Sequence, residues 1–376
     1  MKVPGRDYML SALTLLAAAA SSTVKLIIDT DIGGGGCNDV DDVVALCISH
    51  ALMDNGEAEL IAIVQDTAPV KCAGAISVLN HFYGRDDIPI GAYNITTPGA
   101  SLIQQQPLPY VTAIVDHFDS PINNSTQVED SIVVYRRTLA KQPDHSVAIS
   151  SIGIHTNLAA LLKSGPDEYS PLNGRDLVAQ KVALLAVMGG AYPRGTECNL
   201  MGGGDQGFGL HNHEVASAAS SYVAAHWPTS SKIIWDGYEV GIEVQSGGAG
   251  FQKRCPSVAD PKYNPCAAAM INYERGPNKS RYAWDPLTTL VAVKGAAAGS
   301  TVECSHCDGI NIINKKNGSN AWQDGPKSNE TYLVLLNSTT AGDALDMLLC
   351  QRSKLNPHPA PSHPADASGT SSRHPQ

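Results

Sequence analysis

Acidic side chains are concentrated at the start of the chain, where their type and spacing suit the binding of a cation. An apolar run, Val24–Ile28, is followed at once by Asp29 and Asp31, and a Gly-rich loop then leads to Asp41 and Asp42. Like charges packed together repel one another unless a cation neutralises them. Because carboxylate oxygens suit hard ions, we predict a site for Ca²⁺ or Mg²⁺. The alternative is a solvated acidic loop whose aspartates cap a helix.

Strand-like and helix-like patterns alternate along most of the chain, and these elements must position the carboxylates. The strand-like runs are Val24–Ile28, Leu60–Gln65, Ser146–Ser150, Val182–Val187 and Lys232–Trp235. The helix-like runs are Asp41–Met53, Val70–Tyr83, Asp130–Lys141, His155–Lys163, Asn212–Ala225 and Pro286–Val293. This alternation predicts an α/β fold with an open, mostly parallel β-sheet and helices on both faces. The carboxyl end of the first strand would then lie at the usual ligand crevice of such a sheet.

Polar segments follow several of these strands or open the helices. They are Gln65–Thr67, Gly153–Leu158, Met188–Pro193, Glu197–Asn199 and Trp284–Leu287. Each segment alone is compatible with a tight turn or with a helix N-cap. Several of them at the ends of apolar strands favour one shared site.

In their residues and order, these segments resemble the inosine/uridine-preferring nucleoside hydrolase family. The matching motifs are Asp29-Thr30-Asp31-Ile32-Gly33 with Asp41-Asp42, Gly153 with Thr156-Asn157-Leu158, Met188-Gly189-Gly190 with Glu197 and Asn199, and Asp285-Pro286-Leu287. The resemblance spans roughly residues 24 to 295. It implies a Rossmann-like nucleoside hydrolase fold, a small-molecule nucleoside substrate, and a homodimer or homotetramer.

The resemblance also implies a Ca²⁺ cofactor and a set of ligands. The metal ligands would be the carboxylates of Asp31, Asp42 and Asp285 and the backbone carbonyl of Thr156. The residues that contact the ribose would be Asp41, Asp66, Glu197 and Asn199. Asp66 stands where the family often has Asn, so its role departs from the pattern.

The reaction implied is hydrolysis of the N-glycosidic bond of a ribonucleoside to free base and ribose. Such a reaction passes through an oxocarbenium-like transition state. Asp31 would act as the general base on a metal-bound water, which attacks the anomeric carbon directly. An alternative is a catalytically weak or inactive relative that binds ribosides or sugars. A third, a metal-dependent hydrolase of another ester or glycoside, lacks a Gly-x-Ser-x-Gly nucleophile motif.

Two departures from the family pattern affect these expectations. Residues 34 to 40 form a Gly-rich insertion between Gly33 and Asp41. We expect the insertion to bulge outward and leave the metal site intact, because loops tolerate insertions. The alternatives are that it spoils the site or that Asp39 replaces one ligand.

The second departure is Trp284, which stands where many family members have the His that protonates the leaving base. A tryptophan cannot act as that acid, but it could bind the substrate by stacking on a purine or nicotinamide ring. His211 and His213 are candidates for the acid. Tyr238 and Trp235 are candidates for the base pocket or for ordinary core packing.

Composition excludes some classes of partner and indicates an organisation. A chain of 376 residues with 43% hydrophobic content can bury a large core, and its net charge of -10 argues against nucleic acid and anionic membranes as partners. We predict a signal peptide over residues 1–22, because a basic start precedes an apolar stretch too short to span a membrane. The alternative is a disordered tail before the first strand. A catalytic domain would follow over 23–351, and a disordered Pro/Ser/His-rich tail over 352–376.

Two further patterns agree with a secreted, extracellular protein. Asn-x-Ser/Thr sequons occur at Asn94, Asn123, Asn124, Asn278, Asn317, Asn329 and Asn337. Nine cysteines are many for a cytosolic enzyme, and their odd number leaves at least one thiol unpaired. Cys255 and Cys266 flank a Pro-rich loop and are candidates for a disulfide. Cys304 and Cys307 could form half of a zinc site, but disulfides are the better interpretation.

Overall fold

A mostly parallel sheet runs through the centre of the protein. The computed structural model describes residues 23–34, 37, 39–67, 70–93, 107–203, 213–357, 359–360 and 362. The predicted signal peptide and the sequon at Asn94 lie outside these residues. The strands are β1 Val24–Thr30, β2 Ala58–Gln65, β3 Ile90–Ala92, β4 Glu129–Asp130, β5 Val147–Ser151, β6 Val182–Met188, β7 Arg194–Gly195, β8 Lys232–Asp236, β9 Gln245–Gly247, β10 Ser280–Tyr282, β11 Thr301–Glu303, β12 Gly309–Ile313, β13 Asn320–Asp324 and β14 Glu330–Leu335.

Helices connect most of these strands. They are α1 Asp41–Asp54, α2 Cys72–Phe82, α3 Pro109–His117, α4 Ser131–Ala140, α5 Thr156–Lys163, α6 Gly174–Lys181, α7 Cys198–Met201, α8 His213–His226, α9 Tyr238–Gly241, α10 Gly248–Arg254, α11 Pro265–Glu274, α12 Trp284–Lys294 and α13 Ser338–Leu349. All five predicted strands and all six predicted helices are present, with ends that differ by one or two residues.

The strand order of the main sheet creates a crevice at its centre. Within the described residues this sheet has nine strands in the order β11-β14-β8-β6-β5-β1-β2-β3-β4. Only the pairing of β11 with β14 is antiparallel there. The chain moves outward from β1 to β4 and then returns to β5 on the other side of β1. The gap between the carboxyl ends of β1 and β5 is therefore a topological switch point, where open α/β sheets bind ligands.

Helices cover both faces of the sheet, as the sequence predicts. Along β1, Leu26 and Ile28 pack into one apolar cluster with α1, α2 and α12, and Ile27 packs into a second cluster on the opposite face with α4, α5 and α8. This alternation follows from the two-residue period of a strand. The unbroken apolar run of β1 is thus explained by burial on both faces. In the described part of the chain, no helix is both long and apolar enough to cross a membrane.

Four disulfides join the described residues, and their pairing corrects one expectation. Cys255 pairs with Cys350 and Cys266 pairs with Cys47, so the predicted Cys255–Cys266 bridge is wrong. The reason is tertiary: α11 brings Cys266 against α1, and the end of α10 brings Cys255 against the end of α13. Cys304 pairs with Cys307, and Cys37 pairs with Cys198. The predicted unpaired thiol is the buried Cys72.

The chain after α13 returns to the base of α1 and α2. Lys354 donates its backbone N–H to Asp54, and the hydroxyl of Ser353 and the amide of Asn356 donate to backbone carbonyls of Tyr83 and Phe82. These residues belong to the segment that the sequence assigns to a disordered tail. The boundary and the disorder of that tail stay a prediction.

A buried polar network lies at the same end of α1. The His50 ring stacks on Tyr83 with 4.4 Å between ring centroids, and its Nε2 lies 3.1 Å from Asn80 Oδ1. The Arg85 guanidinium lies 3.3 Å from His50 Nδ1 and pairs with Asp54. Because a guanidinium only donates, Nδ1 accepts and Nε2 carries the ring proton. Burial, and then the nearby Arg85 charge, lower the pKa of His50 from 6.5 to about 3.

This depressed pKa gives a testable dependence of stability on pH. The unfolded chain protonates His50 below pH 6.5 and the folded chain does not, so this contribution to stability is present above pH 6.5 and is lost on acidification. We expect the difference in free energy of unfolding between wild type and His50→Gln to shrink by about 2 kcal/mol from pH 7.5 to pH 5. Urea unfolding measures it. His226→Gln, at an exposed position, serves as the control. If the difference in free energy of unfolding between wild type and His50→Gln does not change with pH, the depressed pKa of His50 is wrong.

Candidate functional site

The polar segments predicted to form one site meet at the carboxyl ends of the central strands. Asp31 follows β1, Asp66 follows β2, and Thr156 opens α5 after β5. Beyond β6 and the short β7, Glu197 precedes α7 and Asn199 lies within it. Asp41 and Asp42 lie in the first turn of α1, and Asp285 lies in the first turn of α12.

Three buried carboxylates form the centre of this site. Oxygens of Asp41, Asp42 and Asp285 all lie within 4.8 Å of one another. The backbone N–H of Asp285 donates to Asp41 Oδ2 at 3.1 Å, and the hydroxyl of Thr30 donates to Asp42 Oδ1. Two of the three, Asp42 and Asp285, are predicted metal ligands, and Asp41 is a predicted ribose contact.

The electrostatics of this trio favour neutralisation by a cation or by protons. Burial, and then Asp31, raise the pKa of Asp42 well above its usual range, and burial followed by Asp41 does the same to the pKa of Asp285. Burial, and then Asp39, likewise raise the pKa of Asp41. Ionised carboxylates this deep are strongly destabilising unless a cation or protons neutralise them. A buried, oxygen-only, anionic donor set fits a hard divalent ion such as Ca²⁺.

Asp31 lies beside the trio without belonging to it. Its side chain is 4% exposed, and its Oδ2 accepts a hydrogen bond of 3.2 Å from the backbone N–H of Cys37. A Cβ atom at Gly153 would stand 2.6 Å from the Asp31 nitrogen and would collide with the Asp66 carboxylate. Only glycine therefore allows the loop after β5 to approach the end of β1 so closely. The assignments of Asp31 as base and ligand, and of the Thr156 carbonyl as ligand, stay predictions.

Asp66 is the side chain whose surroundings most clearly indicate a ligand. It is fully buried, and neither carboxylate oxygen has a hydrogen-bond partner among the described residues. The hydroxyl of Thr156 donates to its backbone carbonyl at 3.1 Å, which fixes the position of the residue. Burial, and then Asp29, raise its pKa well above the usual range. A buried carboxylate that lacks partners among these residues is suited to accept hydrogen bonds from a ligand.

Asp29, near the end of β1, links β1 to neighbouring helices through buried hydrogen bonds. Its carboxylate accepts hydrogen bonds from the hydroxyl of Tyr135 at 2.7 Å and from the amide of Asn157 at 3.0 Å. The Asn157 amide also donates to the carbonyl of Gln65 at 3.1 Å. Asn157 thereby joins the ends of β1 and β2 to α5. Asn157 belongs to one of the motifs in the sequence, but this supporting role was not predicted from the sequence.

Glu197 and Asn199 lie at the predicted place, and both contact the surrounding protein. Glu197 caps α7 by accepting from the backbone N–H groups of Asn199 and Leu200, and it accepts from Gly190 at 3.0 Å. The Asn199 amide donates to the carbonyl of Met188 at 3.2 Å. Burial raises the pKa of Glu197 to about 7. Carboxylate oxygens accept several hydrogen bonds, so Glu197 retains capacity for a ligand hydroxyl.

Aromatic rings form one wall next to the trio. Trp284 precedes Asp285, and its ring lies 5.5 Å from Tyr238 and 5.3 Å from Tyr282 between centroids. Its indole N–H donates to the carbonyl of Tyr238 at 2.9 Å, and Tyr238 is 43% exposed. Trp235 is fully buried and donates to Glu330, so it is a core residue. Of the two candidates for the base pocket, Tyr238 is therefore the one beside Trp284.

The insertion leaves the trio assembled. Asp39 pairs with Arg281, whose Nε donates to Asp39 Oδ1 at 2.7 Å, so Asp39 belongs to an ion pair and not to the trio. Arg281 also lies over the rings of Tyr273, Tyr282 and Trp284. No local pattern in the sequence indicates Arg281 as a partner of Asp39, because the two residues lie far apart along the chain. His211 and the side chain of His213 lie outside the described residues.

One further buried carboxylate lies at the end of β8. Asp236 is 2% exposed and accepts a hydrogen bond of 2.8 Å from the hydroxyl of Thr288. Burial raises its pKa to about 8. It stands outside the trio and was not predicted from sequence, because nothing local marks the last residue of a strand as buried.

Solved structures with the same fold include nucleoside hydrolases and a type III effector protein. A plant nucleoside hydrolase, the PpNRh1 enzyme, is 18% identical with a TM-score of 0.60, and the match covers 87% of this chain and 99% of that one. The inosine-uridine preferring nucleoside hydrolase from Bacillus anthracis is 15% identical with a TM-score of 0.59, covering 87% and 99%. The type III effector protein XopQ, complexed with adenosine diphosphate ribose, is 16% identical with a TM-score of 0.60, covering 87% and 94%.

These likenesses confirm the predicted fold and the resemblance to nucleoside hydrolases at the level of the fold. At identities of 15–18% they show the fold alone. No family model matches the chain, and no curated protein matches it.

Neutralisation of the trio by a divalent ion should be visible as thermal stabilisation. Calcium at about a hundred times its dissociation constant should add about 2.7 kcal/mol of stability, which is on the order of 5 °C in a domain of this size. Asp285→Asn should lose most of this shift, measured by calorimetry with calcium and then with chelator. Asp236→Asn is the matched control, since it changes a buried carboxylate outside the trio. A melting temperature indifferent to calcium in the wild type would contradict a metal site.

Proposed function

We propose that this protein is a secreted, Ca²⁺-dependent nucleoside N-ribohydrolase that releases free base and ribose from ribonucleosides. The observation that carries the proposal is the buried trio of Asp41, Asp42 and Asp285 at the switch point of the sheet, together with Asp66, whose carboxylate has no hydrogen-bond partner within the described part of the chain. That site lies in a fold whose solved neighbours include nucleoside hydrolases.

The residues have distinct roles in this proposal. Asp42 and Asp285 hold the ion, and Asp31 and the carbonyl of Thr156 complete the protein ligands. Bound calcium would supply a Lewis acid that lowers the pKa of a coordinated water. Asp41 and Asp66 accept hydrogen bonds from the ribose hydroxyls, and Glu197 and Asn199 also contact the ribose.

The chemistry requires a proton acceptor and a stabiliser of positive charge. Asp31 accepts a proton from the water that attacks the anomeric carbon. The bonding electrons of the C–N bond leave with the base, which takes up a proton from solvent, and Asp31 later returns its proton to solvent. The cluster of carboxylates below the ribose stabilises the positive charge that develops on the sugar. Asp31 is buried beside the trio, where its carboxylate can face both the attacking water and the ion.

The aromatic wall supplies the contact with the leaving base. Trp284 and Tyr238 lie at the edge of the site, where Tyr238 is partly exposed. A flat base stacks on such rings through dispersion and offset ring packing. Since Trp284 cannot donate the proton that a His would, stacking takes a larger share of substrate recognition.

A second candidate function is riboside binding without turnover. It is favoured by the hydrogen bonds of Glu197 and Asn199, which are made to the protein, and by the contact of Cys37 with Asp31. The effector XopQ, which was solved with adenosine diphosphate ribose, is a structural neighbour. Calorimetry distinguishes the two functions. A hydrolase produces heat continuously as product forms, whereas a binding protein produces heat only until its sites are saturated.

Secretion is supported by the disulfides and by the exposure of several sequons. Cys47–Cys266 and Cys255–Cys350 join separate helices, as expected in an oxidising compartment. The sequon residues Asn123, Asn278, Asn317 and Asn337 are exposed. Asn329 is less suited to glycosylation, because its amide donates to the carbonyl of Ser231 at 2.7 Å.

Removal of the proposed general base, Asp31, should abolish turnover. We expect Asp31→Asn to reduce kcat by about a thousandfold or more, because general-base catalysis and charge in the site are both lost. The assay is base release from a panel of purine, pyrimidine and nicotinamide ribosides, with calcium and with chelator. Asp236→Asn should retain activity. A folded, calcium-loaded wild type that releases no base from any of these ribosides would show that the proposal is wrong.

Stacking by Trp284 should be visible in substrate affinity. Trp284→Ala should raise KM on the order of tenfold, since aromatic stacking and burial of the base are lost. Trp284→Phe keeps a ring in place and should recover most of the affinity. Steady-state kinetics on the best riboside measures both variants. If wild type, Trp284→Ala and Trp284→Phe have equal KM values, Trp284 does not belong to the base pocket.

A further inference from the structure

The inserted segment between β1 and α1 is attached to two distant parts of the site. Cys37 forms a disulfide with Cys198, at the start of α7, and Asp39 forms an ion pair with Arg281, at the centre of β10. Cys37 and Cys198 are 161 residues apart in sequence. The described residues of the insertion thus join α7 on one side and β10 on the other.

The disulfide reaches α7 at the position where two ribose contacts are expected. Cys198 lies between Glu197 and Asn199 in sequence, and α7 has only four residues. So short a helix has little stability of its own and depends on its contacts. Glu197 caps it, and the disulfide adds a covalent attachment to the loop after β1.

Cys37 also touches the other half of the site. Its backbone N–H donates to Asp31 Oδ2 at 3.2 Å, and its Sγ lies 2.7 Å from Asn199 Oδ1. A disulfide sulfur carries no proton, so the second contact is packing and not a hydrogen bond. Cys37 therefore contacts both Asp31, the proposed general base, and Asn199, which is proposed to contact the ribose.

We propose that the Cys37–Cys198 disulfide is a positioning element that holds Glu197 and Asn199 at the correct distance from Asp31 for binding of a riboside. This inference rests on the proposed function. Without the disulfide, α7 is free to move away from β1, and the ribose loses contacts on one side. The Asp39–Arg281 pair still holds the insertion beside Asp31, so the effect falls on substrate binding more than on the chemical step.

The other disulfides provide a matched comparison. Cys304 and Cys307 pair within a loop next to β12, and neither belongs to the insertion or to α7. Cys37 and Cys198 are both only partly buried, whereas Cys47 and Cys266 are buried in the core. Loss of the Cys304–Cys307 bridge therefore controls for the general effect of removing a disulfide.

The test compares Cys37→Ser/Cys198→Ser with Cys304→Ser/Cys307→Ser in the full calcium-loaded chain. We expect KM for the best riboside to rise about tenfold in the first variant, with kcat within about threefold of wild type. The control variant should keep both values. An unchanged or lower KM in a folded Cys37→Ser/Cys198→Ser protein would overturn the proposal, and a lower KM would show that the disulfide restricts access.

Two further measurements keep the test decisive. If the double variant does not fold, wild type treated with a phosphine reductant under native conditions replaces it, with peptide mapping to confirm that Cys37–Cys198 has opened. If wild type releases no base, the proposed function fails by itself. The same proteins are then compared by calorimetric titration with ribose, where equal affinity, or no binding to either, overturns the positioning role.

Discussion

Repulsion between buried carboxylates is the constraint on which the rest of this structure depends. Asp41, Asp42 and Asp285 are buried together, and this burial, with the charge of Asp41, raises the pKa of both Asp42 and Asp285. The fold offsets part of this repulsion by directing the amino ends of α1 and α12 at the cluster, where helix dipoles favour negative charge. A bound cation would offset the remainder, so the repulsion between these carboxylates favours a positively charged ligand.

Local pattern was sufficient to predict the scaffold. The apolar runs of β1 and β6 and the acidic start of α1 each identify their element without reference to the rest of the chain. The sequence could not predict that β14 extends the sheet beside β8 in parallel, because that pairing depends on where a distant segment returns. The same limit explains the wrong bridge between Cys255 and Cys266: nearness in sequence suggested a pair that tertiary packing separates.

The position of the carboxylates could be predicted where they belong to motifs. The residues that neutralise or orient them could not be predicted, because they lie elsewhere in the sequence. Asp41, Asp42 and Asp285 lie close together, as expected for polar residues at strand and helix ends that form one site. Arg281 neutralises Asp39 from the far side of the site, and no spacing in the sequence links the two. The tautomer of His50, the capping role of Glu197 and the burial of Trp235 likewise follow from neighbours that only the folded chain supplies.

The central place of β1 has a consequence for how the chain acquires its structure. Lys25 pairs with Val147 of β5, so one edge of β1 stays open until that strand has emerged from the ribosome. Pairings between segments so far apart are slow to form, and unpaired apolar edges associate with other chains in the meantime. Leu26, Ile27 and Ile28 are wholly buried only in the finished sheet. Yield in a foreign host would therefore depend on chaperones that shield this first strand during synthesis.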